Sequence, residues 1–313
     1  MDEHIERYLS RVEAMKAENT YVTYSNNLRQ FDSWAEDRDY EVVEMSALEL
    51  EEYFLEMNRE GYAPNTIGSR FGAVRSFYKT LAGKFEVIDE SPFEELQRRD
   101  YVQKNTRKHD ESDISYVTPE EKEALCDHVP SPKLRNELIM RLLWQTGIRK
   151  SELAQIELDV LDRSGRSVIV WSNKSKEHRT VYYQPSLDLL LDQWLDNGYR
   201  AAFAPAENSS YLFVTERAKQ MHADTVNEEV VKPAAEAAGI QEVLYTDKSG
   251  NKRCRITSHT LRHGHAVHAL KSGIDVRTVQ QHLGHADLEM TMKYLQLIDD
   301  DVKEGYRNFS ASA

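Results

Sequence analysis

Apolar residues recur at helical spacing along most of this chain, and the period changes clearly to two in one place. ERYLSRVEAM carries Tyr8, Leu9, Val12 and Met15 on one stripe. TYVTYSNNLRQFDSWAEDR repeats the pattern with Tyr24, Leu28, Phe31 and Trp34. SALELEEYFLEMNREG runs to Gly61, which suits a helix C-cap. APNTIGSRFGAVRSFYKTLAG has Pro64 in the first turn, Gly83 past the expected end, and an apolar stripe of Ile67, Phe71, Val74, Phe77, Tyr78 and Leu81. In contrast, Val168 to Trp171 and Thr180 to Tyr183 are β-branched and aromatic runs either side of a polar turn, which predicts a hairpin. Helices are expected again after it. The fold class is therefore mainly α, with a mixed α+β second part built around a small antiparallel hairpin.

The chain has 313 residues, which suits about two domains. Gln97 to Tyr116 is charged and lacks sustained apolar periodicity. Residues 1–105 are thus expected to form a helical domain, 106–116 a linker and 117–313 a second domain. VTPEEKEAL opens that second domain, with Thr118 as N-cap, Pro119 at the first helical position and Glu121 completing a capping box. RNELIMRLLWQTGIRKSELAQIEL reads as two helical segments broken at Thr146-Gly147.

Hydrophobic residues are 40% and charged residues 30% of the chain, as in a globular domain in water. No apolar run approaches the roughly 18 residues of a membrane helix. The acidic start, MDEHIERYLS, is unlike a secretory signal. Two distant cysteines, Cys126 and Cys254, exclude a disulfide framework or CxxC metal site as the organising feature, and the cytoplasm is the expected compartment. The net charge of −13 opposes a polyanionic partner, because nucleic-acid binding usually leaves a basic footprint. Two routes reconcile it with such a partner. Either a local basic face survives the global sum, or the surface is acidified for high salt, as in a halophilic archaeal protein. An activity optimum at low salt would count against the second.

Several short stretches carry candidate chemistry. In TGIRKSEL, Gly147 permits a tight break, Arg149 stands at a helix start where backbone N–H groups favour an anion, and Glu152 can hold its guanidinium. An Arg–Glu pair at this spacing is, by itself, ordinary surface decoration. In SNKSKEHRT, Lys174 lies at the hairpin tip, with Lys176 and Arg179 close by; a charged turn is the bland alternative. In SHTLRHGH, His259 and Arg262 share a helix face, while Ile256, Leu261, Ala266, Val267 and Leu270 supply an apolar one. Four histidines in HTLRHGHAVHAL invite a zinc reading, but neither Cys nor an acidic ligand is placed to complete it. His263, His265 and His268 are expected as core or surface residues. In VQQHLGHADLEMTMKYLQL, Gly284 suits a left-handed C-cap, His285 follows at the break, and Asp287 can cap a new helix carrying Tyr294. Arg70, Arg75 and Lys79 share one helix and could face phosphates or plain solvent.

As a set, Arg149, the hairpin Lys174, His259 and Arg262 in H-x-x-R, His285 in L-G-H, and Tyr294 resemble the tyrosine recombinase/integrase family, which includes phage integrases and Xer recombinases. The resemblance spans about 300 residues. Two departures stand out: Leu295-Gln296 replaces the Y-x-H that many relatives have, and Asn-Lys-Ser replaces a frequent Gly-Lys-Gly, so Lys176 is an alternative to Lys174. The resemblance implies a helical core-binding (SAM-like) domain followed by a catalytic domain. The implied reaction is DNA strand exchange through a 3′-phosphotyrosyl link, needing neither metal nor nucleotide cofactor. Arg149 and Arg262 would clamp the phosphate, with Glu152 supporting. His259 and His285 would donate hydrogen bonds or help move the tyrosine proton. Lys174 would protonate the leaving 5′-oxygen, and Tyr294 would attack. The implied partner is a double-stranded DNA attachment site, with four copies assembled on two duplexes and a monomer in free solution. Arg70, Arg75, Lys79, Lys176 and Arg179 are candidate DNA contacts. Rival readings are a type IB topoisomerase-like relaxing enzyme, a non-catalytic DNA-binding regulator and a metal-dependent hydrolase.

Overall fold

The computed structural model describes residues 1–102, 114–172, 176–247, 250–284 and 292–295. The chain divides into two compact units, one carrying residues 1–102 and the other most of the chain from 114 onward.

The first unit is helical: α1 (Glu3–Met15), α2 (Glu18–Glu36), α3 (Ala47–Arg59), α4 (Pro64–Thr80) and the short α5 (Arg98–Tyr101). Each long helix buries the stripe that its periodicity marks. Leu28 and Phe31 of α2 meet Tyr53 and Phe54 of α3 and Phe71, Phe77 and Tyr78 of α4 in one aromatic-rich core. Met15, expected on the α1 stripe, is exposed, and Ile5 takes its place in the core. Ser46 and Glu49 form a capping box at the start of α3, and Gly61 follows its end with φ 76°. Gly83 lies past the end of α4, as expected, but inside a π-type turn and not at a cap. Because Leu81 is still fully buried, the chain widens into a π-type turn over Leu81–Phe85 and leaves through Glu86 at φ 52°.

The second unit opens with α6 (Pro119–Asp127), started by the expected Thr118/Glu121 capping box. Next come α7 (Lys133–Thr146) and α8 (Lys150–Ala154). A three-stranded antiparallel sheet follows, β1 (Leu161–Asp162), β2 (Ser167–Ser172) and β3 (Glu177–Tyr182), in the order β1-β2-β3. Val168 pairs with Val181 and Val170 with Arg179; the valines are buried while Ile169 and Tyr182 face water, the alternation of a one-sided sheet. After α9 (Asp188–Leu195), a helical run joins α10 (Ala223–Thr225) to α11 (Lys232–Ala237) through a π-type turn at Val226–Val231. A second hairpin, β4 (Val243–Thr246) with β5 (Lys252–Cys254), interrupts the helices expected there. Its strands are short and β4 is exposed throughout, so its sequence shows no buried-exposed alternation. Finally α12 (Ser258–Lys271) packs on α7, and α13 (Val276–Leu283) packs on α12.

Residues 106–113 of the expected linker, with 103–105 before them, lie outside the described residues. Residues 114–116 already belong to the second unit: Ile114 and Tyr116 pack on the α12–α13 cluster, and the neighbouring Val117 N–H donates to Thr260 O at 3.2 Å.

Two glycines separate packing from propensity. A Cβ on Gly264 of α12 would lie 2.3 Å from Val117 O and 2.6 Å from the Trp144 ring, whereas one on Gly72 of α4 would meet nothing within 4 Å. Gly264→Ala should therefore lower stability by about 1–3 kcal/mol through overpacking. Gly72→Ala should raise it by roughly 0.5–1 kcal/mol through helix propensity. Chemical denaturation of the two variants checks the opposite signs.

Candidate active site

The site is built on the break between α7 and α8. Gly147 turns the chain at φ 60°, and a Cβ there would sit 2.6 Å from His265 and 2.7 Å from Leu283. Only glycine lets α12 and the end of α13 approach this closely while adopting a left-handed backbone. The carbonyls freed at the end of α7 are then taken up one by one. His265 Nδ1 lies 2.8 Å from Trp144 O, His282 Nε2 2.9 Å from Thr146 O, and Arg262 Nη1 donates to Gly147 O at 2.6 Å. The two imidazoles stack at 5.2 Å, and Arg262 Nη2 donates onward to Leu283 O at 2.7 Å. Helix ends expose unpaired carbonyls, and here the buried Arg262 and the half-buried His265 and His282 satisfy them.

Arg149 follows the break as the N-cap of α8. Its backbone N–H donates to Glu152 Oε2 at 2.8 Å and its Nη1 to Oε1 at 2.9 Å. Glu152 is 2% exposed and also receives both Nη groups of Arg179, at 2.9 and 2.8 Å. Burial pushes its carboxyl pKa up, but the hydrogen bonds from Arg179 and the two guanidinium charges outweigh that and hold it below the ordinary value. Arg262, 1% exposed, loses pKa to burial first and to the Arg149 charge second.

The structure brings Arg149, His259, Arg262 and Tyr294 into one electrostatic neighbourhood. His259 remains accessible at the first turn of α12, and its pKa falls through desolvation and then through the charges of Arg262 and Arg149, which favours a neutral imidazole. Tyr294 is fully buried among Ala266, Val267, Val279 and Leu283. Burial pushes its hydroxyl up to about 12, while the same two arginines pull the other way. Lys174, His285 and Asp287 lie outside the described residues. Lys176 is exposed at the hairpin turn with φ 58°.

Of the candidate DNA contacts, Arg75 and Lys79 are exposed on α4. Arg70 instead donates to Tyr53 Oη at 3.2 Å and lies 4.8 Å over the Tyr62 ring. Arg179 is turned inward onto Glu152. The histidine-rich stretch is spent on internal contacts: His263 shares a 2.6 Å hydrogen bond with Tyr294 Oη, His265 holds Trp144 O, and His268 lies by the Trp144 ring. No group of three or more His, Cys, Asp or Glu among the described residues could hold a metal ion. Sequence reasoning missed the roles of His263 and His282. The only local signals were the histidine directly after H-x-x-R and the one directly before L-G-H.

Comparison with known proteins follows the same outline. A model described as the phage integrase family matches residues 115–300, and one described as the phage integrase N-terminal SAM-like domain matches residues 2–85. Tyrosine recombinase XerA of Pyrococcus furiosus is 29% identical over 289 residues, covering 92% of this chain and 87% of its own. A tyrosine recombinase of Pseudothermotoga lettingae is 27% identical over 296 residues, covering 94% and 92%. The fold is shared with a XerH site-specific recombinase bound to its palindromic difH substrate, at TM-score 0.72 and 16% identity over 98% of this chain and 84% of that one. It is also shared with a lambda integrase dimer bound to a core site, at TM-score 0.68 and 16% identity over 94% of each chain.

The stacked histidines make a pH prediction. His265 is held at about 4 by burial first and by His282 next, and His282 is also lowered, chiefly by burial. Both folded values lie below the unfolded value near 6.5. Their contribution to stability is thus full above pH ~6.5 and is lost as pH falls toward 4. Thermal midpoints should decline across that window, and His265→Gln should flatten the decline; a wild-type midpoint that is level from pH 6.5 to 4.5 would refute this account.

Proposed function

The chain belongs to the phage integrase family, and on that premise we propose that it is a site-specific DNA recombinase that cleaves and rejoins strands through a 3′-phosphotyrosyl intermediate. The observation that carries this reading is the convergence of Arg149, Arg262, His259 and Tyr294 around the α7–α8 break, where both arginine charges act on both the imidazole and the phenol.

The chemistry follows from those groups. Tyr294 Oη attacks a backbone phosphorus, the Tyr–O–P bond forms and the P–O5′ bond breaks. Arg149 and Arg262 offset the charge that builds on the non-bridging oxygens, a role whose loss typically costs ~10²–10³-fold in rate. The phenol, its pKa raised by burial, must lose its proton as it attacks, and His259, whose lowered pKa favours a neutral imidazole, or alternatively His285 helps to carry it away. Lys174, or Lys176 in its place, protonates the leaving O5′. A phosphodiester is exchanged for a phosphodiester, so the bond energy is conserved in the protein–DNA link until a new 5′-hydroxyl attacks. Glu152 supports Arg149. Tyr294 is fully buried in this state, so it must move outward to reach a phosphate.

Duplex DNA as partner is compatible with the acidic net charge because acid is unevenly distributed. Residues 19–31 and 61–85 contain no Asp or Glu. These stretches supply most of α2's N-terminal half and all of α4, joined by Asn27 Nδ2 donating to Ser69 Oγ at 3.0 Å. Their exposed residues include Asn26, Arg29, Asn65, Arg75 and Lys79, side chains able to donate hydrogen bonds to phosphate, from stretches with no carboxylate of their own. In this reading residues 1–105 grip DNA, 106–116 link and 117–313 catalyse. Four copies act on two duplexes, and a monomer is the free state. Among the described residues no helix is long and apolar enough to cross a membrane. The cytoplasm, where the DNA lies, is the proposed compartment.

The test is covalent trapping with EDTA present, on a nicked duplex recovered from a random-sequence pool by binding to the protein. An adduct should form with the wild type and vanish with Tyr294→Phe; an adduct that survives in the variant would mean another nucleophile. Exchanged ends, rather than relaxed circles alone, separate recombination from topoisomerase action. Replacing both Arg75 and Lys79 by Ala should weaken binding and reduce the log-affinity against log-salt slope by about 2, one per phosphate contact. An unchanged slope would remove the α4 face from the interface.

A further inference from the structure

Arg179 sits on β3, 30 residues after Arg149, the arginine it affects. All three of its guanidinium nitrogens are committed inside the protein. Nη1 and Nη2 donate to the two oxygens of Glu152 at 2.9 and 2.8 Å, and Nε donates to His282 O at 2.7 Å. The side chain is 13% exposed. Gly284 lies against it so closely that a Cβ there would fall 3.1 Å from Arg179 Cδ and 3.2 Å from Nε. One guanidinium thus joins the hairpin, the start of α8 and the turn that ends α13.

The geometry at Glu152 is unequal. Arg179 takes it with a two-pronged fork, while Arg149 gives it a single side-chain N–H, from Nη1. Among the described residues, Nε and Nη2 of Arg149 have no hydrogen-bond partner, and the side chain is 25% exposed. A buried carboxylate prefers a bidentate guanidinium, and two are within reach. Whichever arginine occupies the fork position leaves the other with free N–H groups.

We propose that Arg179 is a positioning residue for the phosphate clamp: by occupying Glu152 through its fork, it keeps Arg149 end-on with Nε and Nη2 free for the non-bridging oxygens of the scissile phosphate, and through His282 O it fixes the Leu283–Gly284 turn. Without that fork, Glu152 swings to take Arg149 side-on and withdraws its N–H groups from the substrate. This assignment rests on the recombinase reading. It also removes Arg179 from the DNA-contact set, since a guanidinium with three internal bonds has little left for a phosphate.

The test compares Arg179→Gln and Arg179→Lys with the wild type and Arg149→Ala, in single-turnover adduct formation at saturating enzyme. Each is given two versions of the selected nicked duplex, one with a normal scissile phosphate and one with a methylphosphonate there. The neutral methylphosphonate develops less charge and depends less on the clamp. On the normal phosphate, Arg179→Gln should slow adduct formation by about 10²-fold, the scale of one lost charge-stabilising donor. On the methylphosphonate the penalty should shrink to a few-fold, as for Arg149→Ala. Arg179→Lys keeps the charge but not the fork, so it should recover the thermal midpoint without recovering the rate; it also serves if the Gln variant does not fold.

Equal penalties on both substrates, or recovery of rate by lysine, would overturn the proposal in favour of a plain core ion pair. Weakened DNA affinity and a smaller salt slope, with a normal rate at saturation, would overturn it in favour of a phosphate contact. If the wild type forms no adduct on the selected duplex, the recombinase reading fails; a normal wild type beside an unimpaired Arg179→Gln sinks only this assignment.

Discussion

A single buried carboxylate organises the catalytic unit. Glu152, on the short helix α8, accepts four hydrogen bonds, one from a backbone N–H and three from guanidinium groups. An isolated carboxylate buried this deeply would be neutral, because desolvation disfavours its charge by several kcal/mol. Paired with two arginines it stays ionised, and the desolvation cost binds the three residues to one geometry: removing either cation leaves the carboxylate to re-pair with the other. Charge at this point is therefore a source of position more than of net stability.

The same logic extends outward through carbonyls. The last turn of α7 is broken by Gly147, and its free carbonyls are claimed by His265, His282 and Arg262. Arg262 also reaches Leu283 O, and Arg179 reaches His282 O, so the ends of α7 and α13 are tied to the buried Arg262 and the half-buried Arg179. Each such bond is worth only about 1–3 kcal/mol, but each orphaned partner would cost a comparable amount, so the network holds as a unit. In the proposed reading a phosphate clamp needs donors fixed before substrate arrives, and this network would fix them through internal bonds.

Tyr294 shows the opposite arrangement. It lies in a small satellite cluster with α12 and α13, fully buried and hydrogen-bonded to His263. The arginines are held by several hydrogen bonds each, while the tyrosine lies in an apolar setting that favours its protonated form.

Much of this was legible in the chain itself. Helical stripes, the Thr118 capping box, the break at Gly147, the hairpin at 167–182 and the left-handed Gly284 all follow from local rules of spacing, capping and φ, which act over a few residues. The order Arg149, His259, Arg262, Tyr294 pointed to a candidate site through its resemblance to the tyrosine recombinase/integrase family, not through any one local rule. Local rules could not assign partners across 27 or 103 residues, so Arg179 read as a free cation when it is an internal fork. They missed β4 and β5, whose exposed four-residue strand carries no periodic signal. They also left His263, His265 and His282 without roles, since an imidazole's duty depends on which carbonyl or hydroxyl faces it. Sequence determined the elements and the chemical inventory; tertiary structure decided which cations remain available, because hydrogen-bond partners are chosen by distance in space.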